Sequence, residues 1–209
     1  MADGPLDTRL QGRVAVVTGG GGGIGEAIAR RFAASGALVV ANDIDADRLS
    51  TVVEACRSGG GEVWGVPGDI RHRTTVQEVS AAAEQLADGR IDVLVNNVGD
   101  FRPNARFLES TEEQWQEMAA INLDHVLRCT HRIAPGMVAR GSGSIVNLTT
   151  VEVHRGIPGH TVYSAYKAAV LGFTRSLAVE LGNYGVRVNA VAPDMAATLQ
   201  TPAEMMLRG

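Results

Sequence analysis

The fold is decided by the stretch Val14-Ala15-Val16-Val17-Thr18-Gly19-Gly20-Gly21-Gly22-Gly23-Ile24-Gly25. Its apolar, β-branched beginning predicts a buried strand, and the residues from Ile24 onward have helical spacing. The glycines between them let the backbone turn tightly and approach a ligand closely. A strand that leads through such a loop directly into a helix indicates a dinucleotide site, because a pyrophosphate binds well at a helix N-terminus. A merely flexible loop is the alternative.

Short apolar runs alternate with helical segments along the rest of the chain, which is typical of a parallel sheet covered by helices on both faces. We therefore predict an α/β fold, a Rossmann-like doubly wound parallel sheet, in a single domain covering residues 1–209. Pro135 falls late in a helical segment and is expected to end or kink it. The predicted strands are Val14–Val17, Leu38–Ala41, Glu62–Val66, Val93–Val95, Ser144–Leu148 and Val186–Val191, and the predicted helices lie near 24–35, 46–58, 74–87, 111–139 and 163–182.

Asp43 ends the second predicted strand, where a carboxylate would accept hydrogen bonds from the adenosine ribose of a dinucleotide. The same charge would repel a 2'-phosphate, and the glycine loop contains no arginine or lysine to offset that repulsion. NAD is therefore predicted in preference to NADP. The alternative for Asp43 is a turn or helix cap, a role that suits Asp45 better.

Composition argues against several classes of protein. A hydrophobic content of 45% can fill one sizeable core. The net charge is -4 and no basic run is present, so the sequence does not predict a surface that attracts nucleic acid or an anionic membrane. Cys56 and Cys129 stand alone, so neither a metal site nor a disulfide framework is predicted. No signal peptide or membrane span is evident. We expect a cytoplasmic protein without nucleic-acid or membrane partners.

Lys167 is the only lysine of the chain and follows Tyr163 by four residues. Side chains at this spacing share one face of a helix. A cation near the phenol would lower the pKa of Tyr163 from about 10 toward neutrality, so that the tyrosine could act as a general acid or base. A chance pair on a helix surface is the alternative. Tyr166 should point away from this face and pack elsewhere.

Several ordered motifs resemble those of the short-chain dehydrogenase/reductase family, from Gly12 to Thr198. The resemblance covers the glycine loop, the pair Asp69-Ile70, the turn Asn96-Asn97-Val98-Gly99, the residue Asn122 and the Tyr163/Lys167 pair. It implies that the chain binds a nicotinamide cofactor and acts on a small-molecule alcohol or ketone. The residues that it assigns to the cofactor are Gly19, Gly23, Ile24, Gly25, Asp43, Asp69, Ile70, Asn96, Val98, Gly99, Tyr163, Lys167, Pro193, Ala196 and Thr198.

The chain departs from the family at the catalytic serine, whose position thirteen residues before Tyr163 is held by Thr150. Threonine keeps the hydroxyl but adds a methyl group. Thr149 is the fallback if the register differs by one residue. The resemblance implies that Tyr163 exchanges a proton with the substrate oxygen, which Thr150 holds. It also implies that Lys167 binds the nicotinamide ribose and that Asn122 holds a water linking Lys167 to solvent.

A second departure lies in the segment 193–198, which resembles the family's segment beside the nicotinamide but carries Asp194 in place of a usual glycine. Family members continue through two helices and a final strand, so the C-terminal strand is expected to be missing here. Family members also form dimers and tetramers, partly through the helix that carries the catalytic tyrosine. A homodimer or homotetramer is therefore expected, with residues 168–173 in the contact.

The segment between Thr150 and Tyr163 should line the substrate pocket and offers Glu152, His154 and His160. The leading hypothesis is an NAD-dependent dehydrogenase of a secondary alcohol. One alternative is a 3-oxoacyl thioester reductase that uses NADPH. Another, motivated by Thr150 and the expected loss of the last strand, is a catalytically impaired nucleotide-binding or oligomer-forming subunit.

Overall fold

Each apolar run that the sequence predicts as a strand is a strand in the structure, a computed structural model that describes residues 10–196 and 198. Valine and other β-branched residues dominate these runs and favour an extended backbone. The strands are β1 (Val14–Thr18), β2 (Leu38–Asp43), β3 (Glu62–Pro67), β4 (Val93–Asn96), β5 (Gly143–Leu148) and β6 (Val186–Val191). Within the described residues they form one parallel sheet in the order β3-β2-β1-β4-β5-β6, which confirms the predicted fold class.

Helices connect the strands and cover both faces of the sheet. They are α1 (Gly23–Ala34), α2 (Ala46–Ser58), α3 (Arg73–Glu84), α4 (Glu112–Ala119), α5 (His125–Arg140), α6 (Glu152–Arg155) and α7 (Thr161–Gly182), with a short 3-10 helix at Phe107–Glu109. None of the helices in the described part of the chain is long and apolar enough to cross a membrane.

The helical stretch predicted over 111–139 is confirmed and runs from Glu112 to Arg140, but a π-helical turn, Ala120–Asp124, interrupts the α-helical geometry between α4 and α5. Of the two expectations for Pro135, that it ends the helix is wrong, since α5 continues through it to Arg140. Pro135 lies on the exposed side of α5, as does His131, whose carbonyl loses its helical hydrogen bond. Water can therefore replace that bond while the buried side of the helix keeps its packing.

Alternate residues of the central strand, β1, pack into two separate layers of the core. Val16 packs with residues of α3 and α5, such as Val79 and Met137, on one face of the sheet. Val17 packs with residues of α1 and α2, such as Ala29, on the other face. The sheet is thus buried on both sides, as the continuous apolar runs predict.

The order of the strands reverses between β1 and β4, which are neighbours in the sheet. In open parallel sheets of this kind, ligands bind in the crevice at the carboxyl ends of the strands where the order reverses. The glycine loop follows β1 and the turn Asn96–Gly99 follows β4, so both lie at this crevice. The predicted absence of a C-terminal strand bears on residues beyond 198, which lie outside the described residues.

Candidate active site

The loop between β1 and α1 requires glycine at particular positions. Gly19 has a φ of +67°, a left-handed conformation that other residues rarely adopt. A Cβ atom on Gly25 would overlap the carbonyl oxygen of Gly19, so the first turn of α1 packs directly on the loop. Gly22 is the N-cap of α1, and no described side chain caps it. Gly23 and Ile24 therefore open a helix whose first N–H groups can receive a pyrophosphate.

Asn97 joins the turn after β4 to the glycine loop. Its side-chain amide donates to the carbonyl oxygen of Thr18 at 2.8 Å. The Thr18 hydroxyl in turn accepts from the backbone N–H of Asn97 at 3.0 Å and of Val98 at 3.3 Å. No role was predicted for the Asn97 side chain, although a second polar residue directly after a buried strand was a signal for one.

Asn96 and His125 lie beneath the crevice rather than in it. The amide of Asn96 is buried and donates to Oδ1 of Asn147 at 2.8 Å, so it joins β4 to β5. His125 is fully buried, and its Nε2 donates to the carbonyl oxygen of Val98 at 3.1 Å. Burial lowers the pKa of His125 to about 3, which keeps the imidazole neutral. These side chains support the turn, and a cofactor contact from Asn96 would have to come from its backbone.

The carboxylate of Asp43 lies against the glycine loop. Its Oδ2 accepts from the N–H of Gly21 at 2.9 Å, and its Oδ1 accepts from the N–H of Asp45 at 3.0 Å. Asp45 itself caps α2 by accepting from the N–H of Arg48, as the sequence suggests. The Arg48 guanidinium also lies 3.4 Å from Oδ1 of Asp43. This end of the site thus presents both a carboxylate and a cation.

Asp69, predicted to contact adenine, is held by Arg71. Nη2 of Arg71 lies 2.6 Å and Nε 2.8 Å from Oδ2 of the carboxylate. These hydrogen bonds hold the pKa of Asp69 below its ordinary value. Ile70 is 3% exposed and packs in the core. The adenine end of the predicted site therefore carries an arginine that the family motif does not specify.

Tyr163 and Lys167 lie one turn apart on α7 and face the end of β5. The hydroxyl of Thr150 forms a hydrogen bond with the Tyr163 side chain. Thr149 instead donates to the carbonyl oxygen of Lys167 at 2.9 Å. Thr150, rather than the fallback Thr149, therefore presents its hydroxyl to the tyrosine.

Lys167 is buried beside the tyrosine ring. Its Nζ donates to the carbonyl oxygen of Leu148 at 3.0 Å and lies 5.9 Å from the centroid of the Tyr163 ring. Burial lowers the pKa of Lys167 to about 8. The ammonium is thus hydrogen-bonded to the backbone and faces the Tyr163 ring.

The predicted lowering of the Tyr163 pKa is wrong for the protein without cofactor. Burial raises the pKa of Tyr163 to about 12, and the nearby carboxylates of Glu152 and Asp100 add to the increase. The hydrogen bond from Thr150 opposes it but is outweighed. Tyr163 therefore carries its proton throughout the physiological pH range.

Asn122 lies in the π-helical turn and is completely buried. Its Oδ1 accepts from the N–H of Asp100 at 3.1 Å, and its Nδ2 donates to the Asp100 carbonyl oxygen at 2.8 Å. A Cβ atom on Gly99 would lie 2.5 Å from Nζ of Lys167 and 3.0 Å from Oδ1 of Asn122. Asn122 and Lys167 thus meet at Gly99, and only a glycine leaves room for both.

Aromatic rings pack around Tyr163. The ring centroids of Phe101 and His160 lie 6.3 Å and 5.8 Å from that of Tyr163, both nearly edge-on. Of the predicted substrate residues, His160 thus contacts the tyrosine, Glu152 lies near enough to raise its pKa, and His154 is exposed on α6. A small pocket adjoins the Tyr163 ring. Its lining includes the apolar residues Pro103, Ala105, Trp115, Met118 and Val162 and the polar residues Ser110 and Gln114.

The segment after β6 closes one side of the crevice. The carbonyl oxygen of Pro193 accepts from the N–H of Val151 at 3.2 Å, and Ala196 is half-buried. A Cβ atom on Gly23 would be 3.0 Å from Cγ2 of Thr198, so Thr198 lies over the glycine loop. The three residues predicted in this segment are thereby spread between the catalytic side and the glycine loop.

This architecture defines a dinucleotide-binding oxidoreductase, because an open helix N-terminus lies at the sheet crevice beside a tyrosine that can transfer a proton. The geometry fits a nicotinamide dinucleotide at both ends, with glycines cradling the centre and Lys167 near the tyrosine. The family model for short chain dehydrogenase matches residues 13–205, and the chain belongs to this family.

The chain is similar to characterised relatives over most of its length. It is 39% identical to the 3-oxoacyl-[acyl-carrier-protein] reductase of Thermotoga maritima over 193 residues, which cover 92% of this chain and 78% of that protein. It is 40% identical to the (2S)-[(R)-hydroxy(phenyl)methyl]succinyl-CoA dehydrogenase subunit of Thauera aromatica, with 90% and 75% covered.

A solved structure from Beutenbergia cavernae superimposes on the chain with a TM-score of 0.85 at 38% identity, covering 93% of this chain and 77% of that one. That structure has NADP bound at low occupancy. The chain is accordingly an NAD(P)-dependent oxidoreductase of the short-chain type.

Proposed function

We propose that the chain reduces the 3-oxo group of an acyl thioester to a secondary alcohol. The observation that carries the proposal is the position of the Tyr163 phenol, which keeps its proton because burial raises its pKa to about 12, beside the apolar side chains of Trp115, Met118 and Val162. A phenol that keeps its proton is ready to protonate the oxygen of a ketone as it becomes an alkoxide. A protonated Tyr163 is the form that ketone reduction requires.

The choice of an acyl thioester rests on the relatives and on the pocket beside the tyrosine. Two of the relatives described above are named for acyl thioesters, one for a 3-oxoacyl chain on a carrier protein and one for a substituted succinyl-CoA. The apolar side chains of Trp115, Met118 and Val162 line a small pocket at the Tyr163 ring, together with the polar Ser110 and Gln114, and would contact the carbons next to the 3-oxo group. This substrate replaces a simple alcohol as the better supported hypothesis.

Each candidate catalytic residue has one task in this reaction. The bound NAD(P)H supplies the hydride. Tyr163 donates its proton to the substrate oxygen, and Thr150 holds that oxygen through the hydroxyl that already contacts the tyrosine. Lys167 contributes a buried cation beneath the phenol, and Asn122 fixes the neighbouring loop through Asp100. The engagement of Thr150 with Tyr163 argues against a catalytically impaired subunit.

A comparison of two substrates tests the proposed substrate class. Acetoacetyl-CoA is expected to be reduced with a kcat/KM at least about 100-fold higher than that of ethyl acetoacetate, which presents the same 3-oxo group without the thioester and its carrier. Absorbance of the nicotinamide at 340 nm measures both rates. Equal rates would remove the thioester from the proposal, and turnover of neither compound by a protein that binds cofactor would favour a different ketone or alcohol.

We also propose NAD(H) as the preferred cofactor, on the strength of Asp43. Its carboxylate contacts the glycine loop at Gly21, where a 2'-phosphate would meet a negative charge. The comparisons give NADP at least equal support, because the solved relative holds NADP. The Arg48 guanidinium beside Asp43 is the group through which this chain could accept a 2'-phosphate.

A homo-oligomer formed through α7 is proposed from the exposed face of that helix. Ala165, Ala168, Ala169, Gly172 and Val179 are all exposed and recur at helical spacing, so they form one stripe, which also includes Arg175 and Ser176. Val179 is 81% exposed, and a Cβ atom on Gly172 would contact nothing within 4 Å. Small apolar residues of this kind let a second copy of the helix pack closely.

Light scattering during size-exclusion chromatography measures the assembly. Wild-type protein is expected to elute as a dimer or tetramer, and Val179→Glu is expected to shift it toward a smaller species, because each copy would bury a charge. Glu180→Gln, which changes the neighbouring exposed residue, is the control. An unchanged mass for Val179→Glu would place the contact elsewhere.

A further inference from the structure

An ion pair joins the two segments that flank the catalytic tyrosine. Arg155, at the end of α6, reaches Asp194 in the segment after β6, with Nη2 2.6 Å from Oδ1 and Nη1 3.2 Å from Oδ2. The same guanidinium lies 3.3 Å from Oε1 of Glu152. Two of its contacts form the bidentate arrangement that makes arginine–carboxylate pairs specific in geometry. The partners are 39 residues apart in sequence.

The ion pair lies at the end of a series of backbone hydrogen bonds that continues beyond the sheet. The N–H of Thr149 donates to the carbonyl oxygen of Val191 at 2.8 Å, and the N–H of Val151 donates to that of Pro193 at 3.2 Å. Thr150 lies between these two links. A displacement of the segment after β6 would therefore also displace Thr150.

The same segment extends to the cofactor loop at its other end. Thr198 lies over Gly23, since a Cβ atom built there would be only 3.0 Å from its methyl carbon. Asp194 also accepts from the N–H of Met195 at 2.9 Å, which fixes the start of this span. The segment thus connects the catalytic side of the crevice to the glycine loop, across the place where a dinucleotide would lie.

We propose that Arg155 and Asp194 are positioning residues, which hold the segment 193–198 in register with the Thr150 loop and so keep it over the cofactor. Asp194 makes this link possible because it supplies a side chain where glycine is usual. The surroundings of Arg155 support a structural link rather than a free cation, because two carboxylates already engage its guanidinium. A substrate anion would have to displace one of them.

The test is cofactor affinity in variants of the full chain that remove one charge of the ion pair. Asp194→Asn and Arg155→Gln are each expected to raise the Kd for NADH or NADPH, whichever binds tighter, by about three- to tenfold. The double variant should bind the cofactor no more weakly than the weaker-binding single variant, because both changes break the same ion pair. Arg155→Lys should be intermediate, since an ammonium cannot form the bidentate contact.

The readouts separate this role from general stability. Hydrogen exchange of peptides covering 149–156 and 191–198 should increase in both variants, while Tm stays close to that of wild type. Arg132→Gln, which breaks an exposed ion pair with Glu84 away from the site, is the matched control and should leave the Kd unchanged. Unchanged or tighter binding in the Asp194 and Arg155 variants would overturn the proposal, as would additive effects. Cofactor binding requires no substrate, so failure of the thioester assay would leave this result intact.

Discussion

Replacing Tyr163 with phenylalanine is expected to lower kcat for ketone reduction by about 10²- to 10⁴-fold, the range that a positioned general acid contributes. The phenylalanine ring keeps the packing against Phe101 and His160 but removes the proton and the hydrogen bond to Thr150. Cofactor affinity should remain within about twofold, because the hydroxyl is not part of the glycine cradle. Steady-state kinetics and a cofactor titration on the same preparation measure the two effects.

Tyr166→Phe is the matched control, since it removes a second phenol from α7 three residues further along the chain. It should leave kcat within about twofold. The pH profile of wild type adds a further check: reduction should not decline between pH 6 and pH 7, because this range lies below the pKa of Tyr163, about 12, and that of Lys167, about 8. Comparable losses in Tyr163→Phe and Tyr166→Phe would mean that the tyrosines act through packing and that another group donates the proton.

The sequence was sufficient for the features that depend on local pattern. Periodicity and β-branched composition located every strand in the described part of the chain, because burial on both faces of a parallel sheet forces continuous apolar runs. The strand-glycine-helix signal placed the loop at the crevice for a similar reason, since Gly19 and Gly25 are dictated by backbone conformation and close approach. The spacing of Tyr163 and Lys167 likewise predicted their common face, because side chains four residues apart are neighbours on any α-helix.

Properties that depend on the surroundings of a residue could not be read in the same way. The sequence predicted that Lys167 would lower the pKa of Tyr163, yet burial raises it and the ammonium is held by Leu148. Desolvation is set by the whole fold, so no spacing rule reveals its size. The contacts of Arg155 with Asp194 and of Arg71 with Asp69 were likewise missed, because an arginine's reach and partner depend on loops that the sequence does not place.

The π-helical turn at Asn122 likewise could not be predicted from the sequence. A continuous helical pattern predicted one helix over 111–139, and the extra residue that widens the turn leaves no mark in the hydrophobic periodicity. Its consequence is local but chemically important. It brings the amide of Asn122 to the backbone of Asp100, where Gly99 lets Lys167 approach. Resemblance to the family identified the residue, and the structure gives the backbone reason for its position.

Asp43→Asn is expected to shift cofactor preference toward NADPH by about 10- to 100-fold in the ratio of the two Kd values. The asparagine can still accept the hydrogen bond from Gly21, but it no longer repels a 2'-phosphate. Unit charges about 4 Å apart interact by about 4 kcal/mol at an effective dielectric constant of about 20, and screening at an open site leaves roughly 1.4–2.8 kcal/mol. Loss of the carboxylate also leaves Arg48 available to the phosphate.

Parallel calorimetric titrations with NADH and NADPH measure this shift, and two further variants assign its cause. Asp45→Asn removes the other carboxylate near Arg48, at 3.2 Å, while retaining a residue that can cap α2, so its preference should stay that of wild type. Adding Arg48→Gln to Asp43→Asn should reverse most of the gain in NADPH affinity, because the phosphate then lacks a cation. Wild type could instead bind NADPH more tightly, with no change in Asp43→Asn. In that case the Asp43 carboxylate does not contact the ribose, and Arg48 determines the cofactor preference even beside that carboxylate.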